Sequence, residues 1–185
     1  MPGRAAPRRS VEVDPSRLHR LFYPQVPAVL SAGSGGRVSA MAVVSYAAVS
    51  DEPPLVAVAC DPRSYTLELA LLSRAFSLCL LAADKAGAVG RLGSESGRGV
   101  ADKLAMCGLH SQRGRALDLP VVAEAEATIE CRIESKRRLG DHLLVVGRVE
   151  ACYASGGFGE FWDFRKYRPI LYTGWKGGLT TYGTG

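Results

Sequence analysis

The chain has no apolar run approaching the roughly 20 residues that cross a bilayer. Its longest candidate, Leu67 to Ala83, is interrupted by Glu68, Ser73 and Arg74. The first thirty residues hold no apolar block followed by small residues, as a secretory signal would require. Membrane and secreted classes are therefore disfavoured, and the cytoplasm is the expected location. There is no CxxC pair either. The five cysteines, Cys60, Cys79, Cys107, Cys131 and Cys152, lie 19 to 28 residues apart. An odd, unclustered set argues against a disulfide framework and against zinc, and Cys79, Cys131 and Cys152 sit in apolar segments where a thiol acts as a small hydrophobe. His19, His110 and His142 are too widely spaced for a local metal motif, so no metal is expected.

Lysine is scarce: 5 of the 23 basic residues, the rest being arginine. The formal charge is +5 and the pI about 9.1. Arg4, Arg8, Arg9 and Arg17 supply four of those charges near the start. Without them the body is close to neutral, which gives nucleic-acid binding little support. With 185 residues, 47% hydrophobic and 22% charged, the chain reads as a flexible basic tail over 1–15 and one domain over 16–185.

Asp14-Pro15 opens a helical turn within Val13 to Tyr23. Two apolar runs, Val26 to Ala32 and Val38 to Ser45, flank Gly33-Ser34-Gly35-Gly36 and predict a hairpin. Leu55 to Cys60 follows as a short strand after Pro53-Pro54. A helix carrying Leu67, Leu71 and Leu72 starts at Asp61-Pro62-Arg63-Ser64, and Ala75 to Ala82 reads as a buried strand. Val100 to Met106 is the most helical piece of a Gly-punctuated stretch over Asp84 to Cys107. From Ala123 to Glu134 the sequence alternates: Ala125, Ala127, Ile129, Cys131 and Ile133 face a core, while Glu124, Glu126, Thr128, Glu130, Arg132 and Glu134 face water. A basic turn, Lys136 to Arg138 with Gly140-Asp141, returns the chain along His142 to Tyr153. Short strands with two or three short helices predict a small mostly-β barrel plugged by helices.

Four places offer chemistry. Arg63, Ser64 and Thr66 stand at a helix start, where free N–H groups, a guanidinium and hydroxyls suit a phosphate; a capped helix with a solvated arginine is the commoner reading of the same residues, since Ser at an N-cap needs no ligand. The run Ser39 to Ser50 is poor in bulky side chains, so a flat heteroaromatic ring can approach its backbone, as can a packed helix. His142 opens a strong strand at a barrel mouth, suited to proton exchange near neutral pH and also to a plain surface position. Lys103, beside Asp102, reads as a helix-surface lysine.

In this order the segments SYAAVSDEPPLVAVACDPRSYT, ADKLAMCGLH and ATIECRIESKRRLGDHLLVVGRVEACY resemble the flavin reductase-like family of FMN-binding proteins, over roughly Pro24 to Tyr182. The most specific pieces are Ile129-Glu130-Cys131, Gly140-Asp141-His142 and Val146-Gly147-Arg148-Val149. The resemblance implies a six-stranded FMN-binding split β-barrel of Greek-key topology, with short helices at the barrel ends, that forms a homodimer. It implies that Ala42, Ser45, Tyr46, Ala47, Val49 and Ser50 face the isoalloxazine and that Arg63, Ser64 and Thr66 hold the phosphate. Lys103 would lie beside the flavin, Tyr172 and Trp175 would line the site, and His142 would serve the ring and a nicotinamide. The implied activity is reduction of flavin or ferric iron by NADH or NADPH. An electron carrier that holds FMN and serves a redox partner protein is the alternative. Two departures stand out: Leu104 replaces an aromatic after Asp102-Lys103, and Ser39-Ala40-Met41 lacks an expected Asn.

Overall fold

In a computed structural model the described residues are 10–181; most of the basic tail and Tyr182 lie outside them. Seven antiparallel strands form the main sheet: β1 (Ala28–Ser34), β2 (Arg37–Val43), β3 (Tyr46–Asp51), β4 (Pro54–Cys60), β5 (Ala75–Leu80), β8 (Ala127–Leu139) and β9 (His142–Ala154). Their order is β2-β1-β5-β8-β9-β4-β3. β6 (Ser111–Arg113) pairs with β7 (Pro120–Val122), and β10 (Ile170–Tyr172) pairs with β11 (Leu179–Thr181). The helices are α1 (Tyr65–Ser73), α2 (Ala86–Ser94) and the single turn α3 (Lys103–Met106), with 3-10 turns at Pro15–Phe22 and Ala83–Lys85.

Barrel closure follows from the connectivity. β2 and β3 are the two outermost strands, yet only Val44 and Ser45 separate them in sequence. A chain advances at most about 3.6 Å per residue, so the sheet must curl until its two edges approach each other. Ser45 sits at that corner, its carbonyl accepting from the Ala59 N–H at 2.9 Å. The seventh strand, one beyond the six expected, comes from this corner: the run from Val38 to Ser50 bends and counts twice. The β1–β2 hairpin turns as expected at Gly35 and Gly36, whose φ of +59° and +74° suit glycine and match strand twist.

β1 and β5 are buried on both faces. Val29 and Cys79 point into one cluster with Val89, Leu92, Leu104, Val121 and Ile170, the layer beneath α2, α3 and β7. Leu30 and Leu78 point the other way, joining Val58, Phe76, Cys131 and Val145 from the sheet with Leu67 and Leu69 from α1. Thus α1 fills the inside of the curl, and alternate residues of each strand serve separate cores. Leu72 stays outside, exposed. Cys60, Cys79, Cys107 and Cys131 are buried free thiols, whereas Cys152 is exposed rather than in the core.

The long hairpin departs from its reading in three ways. A bulge between Glu130 and Cys131 puts both residues inside, and Thr128 is buried too. Glu130 therefore does not face water: its carboxylate accepts from the N–H groups of Arg115 (2.6 Å), Ala116 (2.9 Å) and Leu117 (2.8 Å), and from the Tyr153 hydroxyl. Lys136, Arg137 and Arg138 are not a turn but part of β8, which runs to Leu139 before a tight turn at Gly140-Asp141. The outward stretch is consequently basic, not glutamate-rich. No helix among the described residues is long and apolar enough to cross a membrane.

Candidate functional site

Three adjoining cavities gather most of the residues singled out above. The first, about 290 Å³, is lined by Ala42, Arg63, Ser64, Thr66 and Lys103, with Tyr65, Gly93, Glu95, Gly97 and Arg98. Ser64 caps α1, its Oγ accepting from the Leu67 N–H at 3.4 Å, and contacts Met41 Sδ. Thr66 is buried, its hydroxyl joined to Ser39 Oγ at 2.9 Å. Arg63 is splayed outward onto Asp61, with Nη2 2.7 Å from Oδ2, and holds that carboxyl down at about 2.

Lys103 is not on the surface. Asp102 caps α3 through the Ala105 N–H, which turns the Lys103 side chain inward until only 4% is exposed. Its ammonium donates to the Leu92 carbonyl near the end of α2 at 2.9 Å. Burial lowers its pKa, with Cys107 and Glu95 pulling the other way.

The second cavity, about 490 Å³, shares Ala42 and Gly93 with the first. Its walls are Tyr23, Val44, Val89, Gly90, Tyr172 and Leu179. Tyr23 and Tyr172 meet edge to face at 4.9 Å, and the Gly174 backbone lies so close to Tyr23 that a Cβ there would overlap the ring. Gly90 and Gly93 leave a floor without side chains; a Cβ on Gly93 would meet Ala42 Cβ at 3.8 Å, an ordinary contact. The third cavity, about 400 Å³, joins the first through Arg63 and holds Asp61, Arg138, Asp141 and His142. His142 Nδ1 is 2.8 Å from Asp141 Oδ1.

Other expected residues lie elsewhere. Ser45, Tyr46, Ala47, Val49 and Ser50 line none of these cavities. Tyr46 is half-buried and donates to the Val26 carbonyl at 2.9 Å, while Ala47 and Val49 are exposed on β3. Trp175 is 73% exposed beside Lys176. His142 shares a cavity with Arg63 rather than with Tyr172. Gly93 and Arg98 were missed. The signal for Gly93 was present as Gly87, Gly90 and Gly93 at helical spacing inside an apolar pattern; Arg98 carried only the weak signal of the Ser-Gly-Arg-Gly loop.

Residues 18–171 match the flavin reductase like domain. An uncharacterised protein of Aeropyrum pernix is 35% identical over 158 residues, 85% of this chain and 60% of that protein, so the chain spans less than two thirds of that relative. The NADH-dependent FMN reductase AsuE2 of Streptomyces nodosus subsp. asukaensis is 27% identical over 86% of this chain and 80% of its own. A crystal structure of an FMN-binding protein from Thermus thermophilus with bound 1-cyclohex-2-enone superposes with a TM-score of 0.77 at 31% identity, covering 96% of each chain.

Proposed function

The chain belongs to the flavin reductase-like family, and from that premise we propose that its first two cavities hold FMN and that it is an NAD(P)H-dependent flavin or ferric reductase. One observation carries the reading: a cationic cavity with Arg63, Arg98 and the buried Lys103 adjoins, at Ala42 and Gly93, an apolar one walled by tyrosines. That pairing fits a phosphate at one end and a flat ring at the other. The side-chain-free floor at Gly90 and Gly93 fits a planar group, and the hydroxyl of Ser64 suits the phosphate end. When bound, FMN supplies acceptance of hydride from a reduced nicotinamide and onward passage of its electrons. The chain fixes orientation: cations at one end and rings at the other set which edge of the flavin meets its donor. His142, beside Arg63, is assigned to the nicotinamide side.

Leu21, Phe22 and Trp175 are exposed around Tyr23 and the Gly174 turn, and a homodimer would cover them. Five unpaired thiols fit a reducing cytoplasm. The carrier reading differs only in needing a redox partner protein instead of a nicotinamide.

Gly93→Leu tests the site directly. Its side chain would fill the junction between the two cavities, while leucine suits α2 better than glycine by about 0.8 kcal/mol. FMN affinity is expected to fall about 30-fold or more, roughly 2 kcal/mol, with unchanged helix content. Unaltered affinity would remove the flavin from these cavities.

A further inference from the structure

Arg63 and Arg98 both line the cationic cavity, but they are not equally available. Arg63 is 89% exposed and commits Nε and Nη2 to the Asp61 carboxylate. Among the described residues the Arg98 guanidinium makes one hydrogen bond, from Nη2 to Glu68 Oε2 at 2.9 Å, and lies 5.1 Å from the centre of the Tyr65 ring. A guanidinium has five N–H donors, so most of Arg98's stay available. Two other features fix its place. Glu68 and Tyr65 both belong to α1, the helix whose start forms the opposite wall. At Gly97, a Cβ would come within 2.5 Å of Ser39 Oγ and 3.2 Å of Lys103 Cδ, so the Glu95–Gly99 loop is pressed against Ser39, Lys103 and Tyr65.

The charged lining is Arg63, Arg98 and Lys103 against Glu95, three cations to one carboxylate. Asp61 and Glu68 pair with the two arginines from outside that lining, so what remains for a phosphate is the Lys103 ammonium and the uncommitted donors of Arg98. We infer that Arg98, rather than Arg63, reads the phosphate of the flavin, making the site a selector of a phosphate-bearing flavin over a phosphate-free one; this rests on the flavin assignment above. Charge-assisted bonds from a guanidinium to phosphate are the strong class of hydrogen bond, and a pre-held fork loses less freedom on binding.

Fluorescence titration with FMN and with riboflavin, on wild type and on R98Q, R63Q and E68Q, tests the inference. R98Q is expected to weaken FMN about tenfold or more, leaving riboflavin within about twofold, whereas R63Q weakens FMN less than about threefold. E68Q separates two roles. It removes the ion pair that fastens the loop but keeps the guanidinium, so FMN affinity should stay within about threefold of wild type. Equal losses in R98Q and E68Q, extending to riboflavin, would make Arg98 a loop fastener and overturn the inference. So would an R63Q loss larger than that of R98Q. Wild type that binds neither flavin overturns the flavin assignment itself, a result distinct from either of these.

Discussion

Glu130 shows how much a single side chain can organise. Burial opposes its charge, and the N–H groups of Leu117, Arg115 and Ala116 with the Tyr153 hydroxyl outweigh that, leaving its pKa below the usual glutamate range. Arg115 also lies 3.8 Å over the Tyr153 ring, so one carboxylate ties the 114–119 loop and the end of β9 to β8. A depressed carboxylate stabilises the fold above its unfolded pKa of about 4.3 and loses that contribution as pH falls through the lower folded value. Glu130→Gln is expected to cost about 3 kcal/mol at pH 7. The gap in Tm between the two proteins should narrow below about pH 4. A gap that is constant with pH would show that the charge plays no part. The sequence concealed this residue because alternation assigned it to solvent, and the cue that reverses it is a bulge. Lys103 was misread for a related reason: its inward turn depends on the Asp102 cap and on the Leu92 carbonyl, which arrives from another helix.

Elements were more legible than faces. Alternation located β8, the return after Gly140-Asp141 located β9, the Gly35-Gly36 turn located the first hairpin, and Ser64 located the start of α1, because each is a local signal. A bulge shifts the pairing by one residue and moves every side chain beyond it to the other face, which no local pattern announces. Gly147 on β9 belongs to the same class. It lies opposite Ile133, where a Cβ would come within 2.7 Å of Phe76 Cζ and 2.8 Å of Cys131 Cβ. The sheet can fold its inner core around Phe76 only if that position stays empty. Gly147→Ala is expected to destabilise by about 2 kcal/mol through overpacking, seen as a lower urea midpoint with an unchanged slope. An unshifted midpoint would mean that the ring moves freely aside.

For the whole molecule, the pattern of short strands and helices predicted a small barrel, but its split topology could not be read from periodicity, since closure depends on which strands are outermost. The resemblance carried that inference, and the two-residue corner at Val44-Ser45 explains it physically. The candidate site was half legible: Arg63, Ser64, Thr66, Ala42, Lys103 and Tyr172 line joined cavities, while β3 and Trp175 do not within one chain. A homodimer that covers Phe22 and Trp175 would present a second surface beside the tyrosine-walled cavity. Sedimentation should then give about twice the 19.7 kDa chain mass, and Phe22→Asp should shift it toward one. A mass of one chain in the unaltered protein would leave those side chains without a self-partner.

The most direct measurement is an anaerobic absorption spectrum of the protein with one equivalent of FMN, before and after NADH or NADPH. The flavin bands should shift on mixing and then bleach with one of the two nicotinamides. In His142→Ala the bleaching rate should fall about tenfold or more, with FMN affinity within about threefold. A bound flavin that neither nicotinamide bleaches would contradict the reductase and leave a carrier fed by a partner protein. Flavin bands that do not shift at all would contradict the account at its centre.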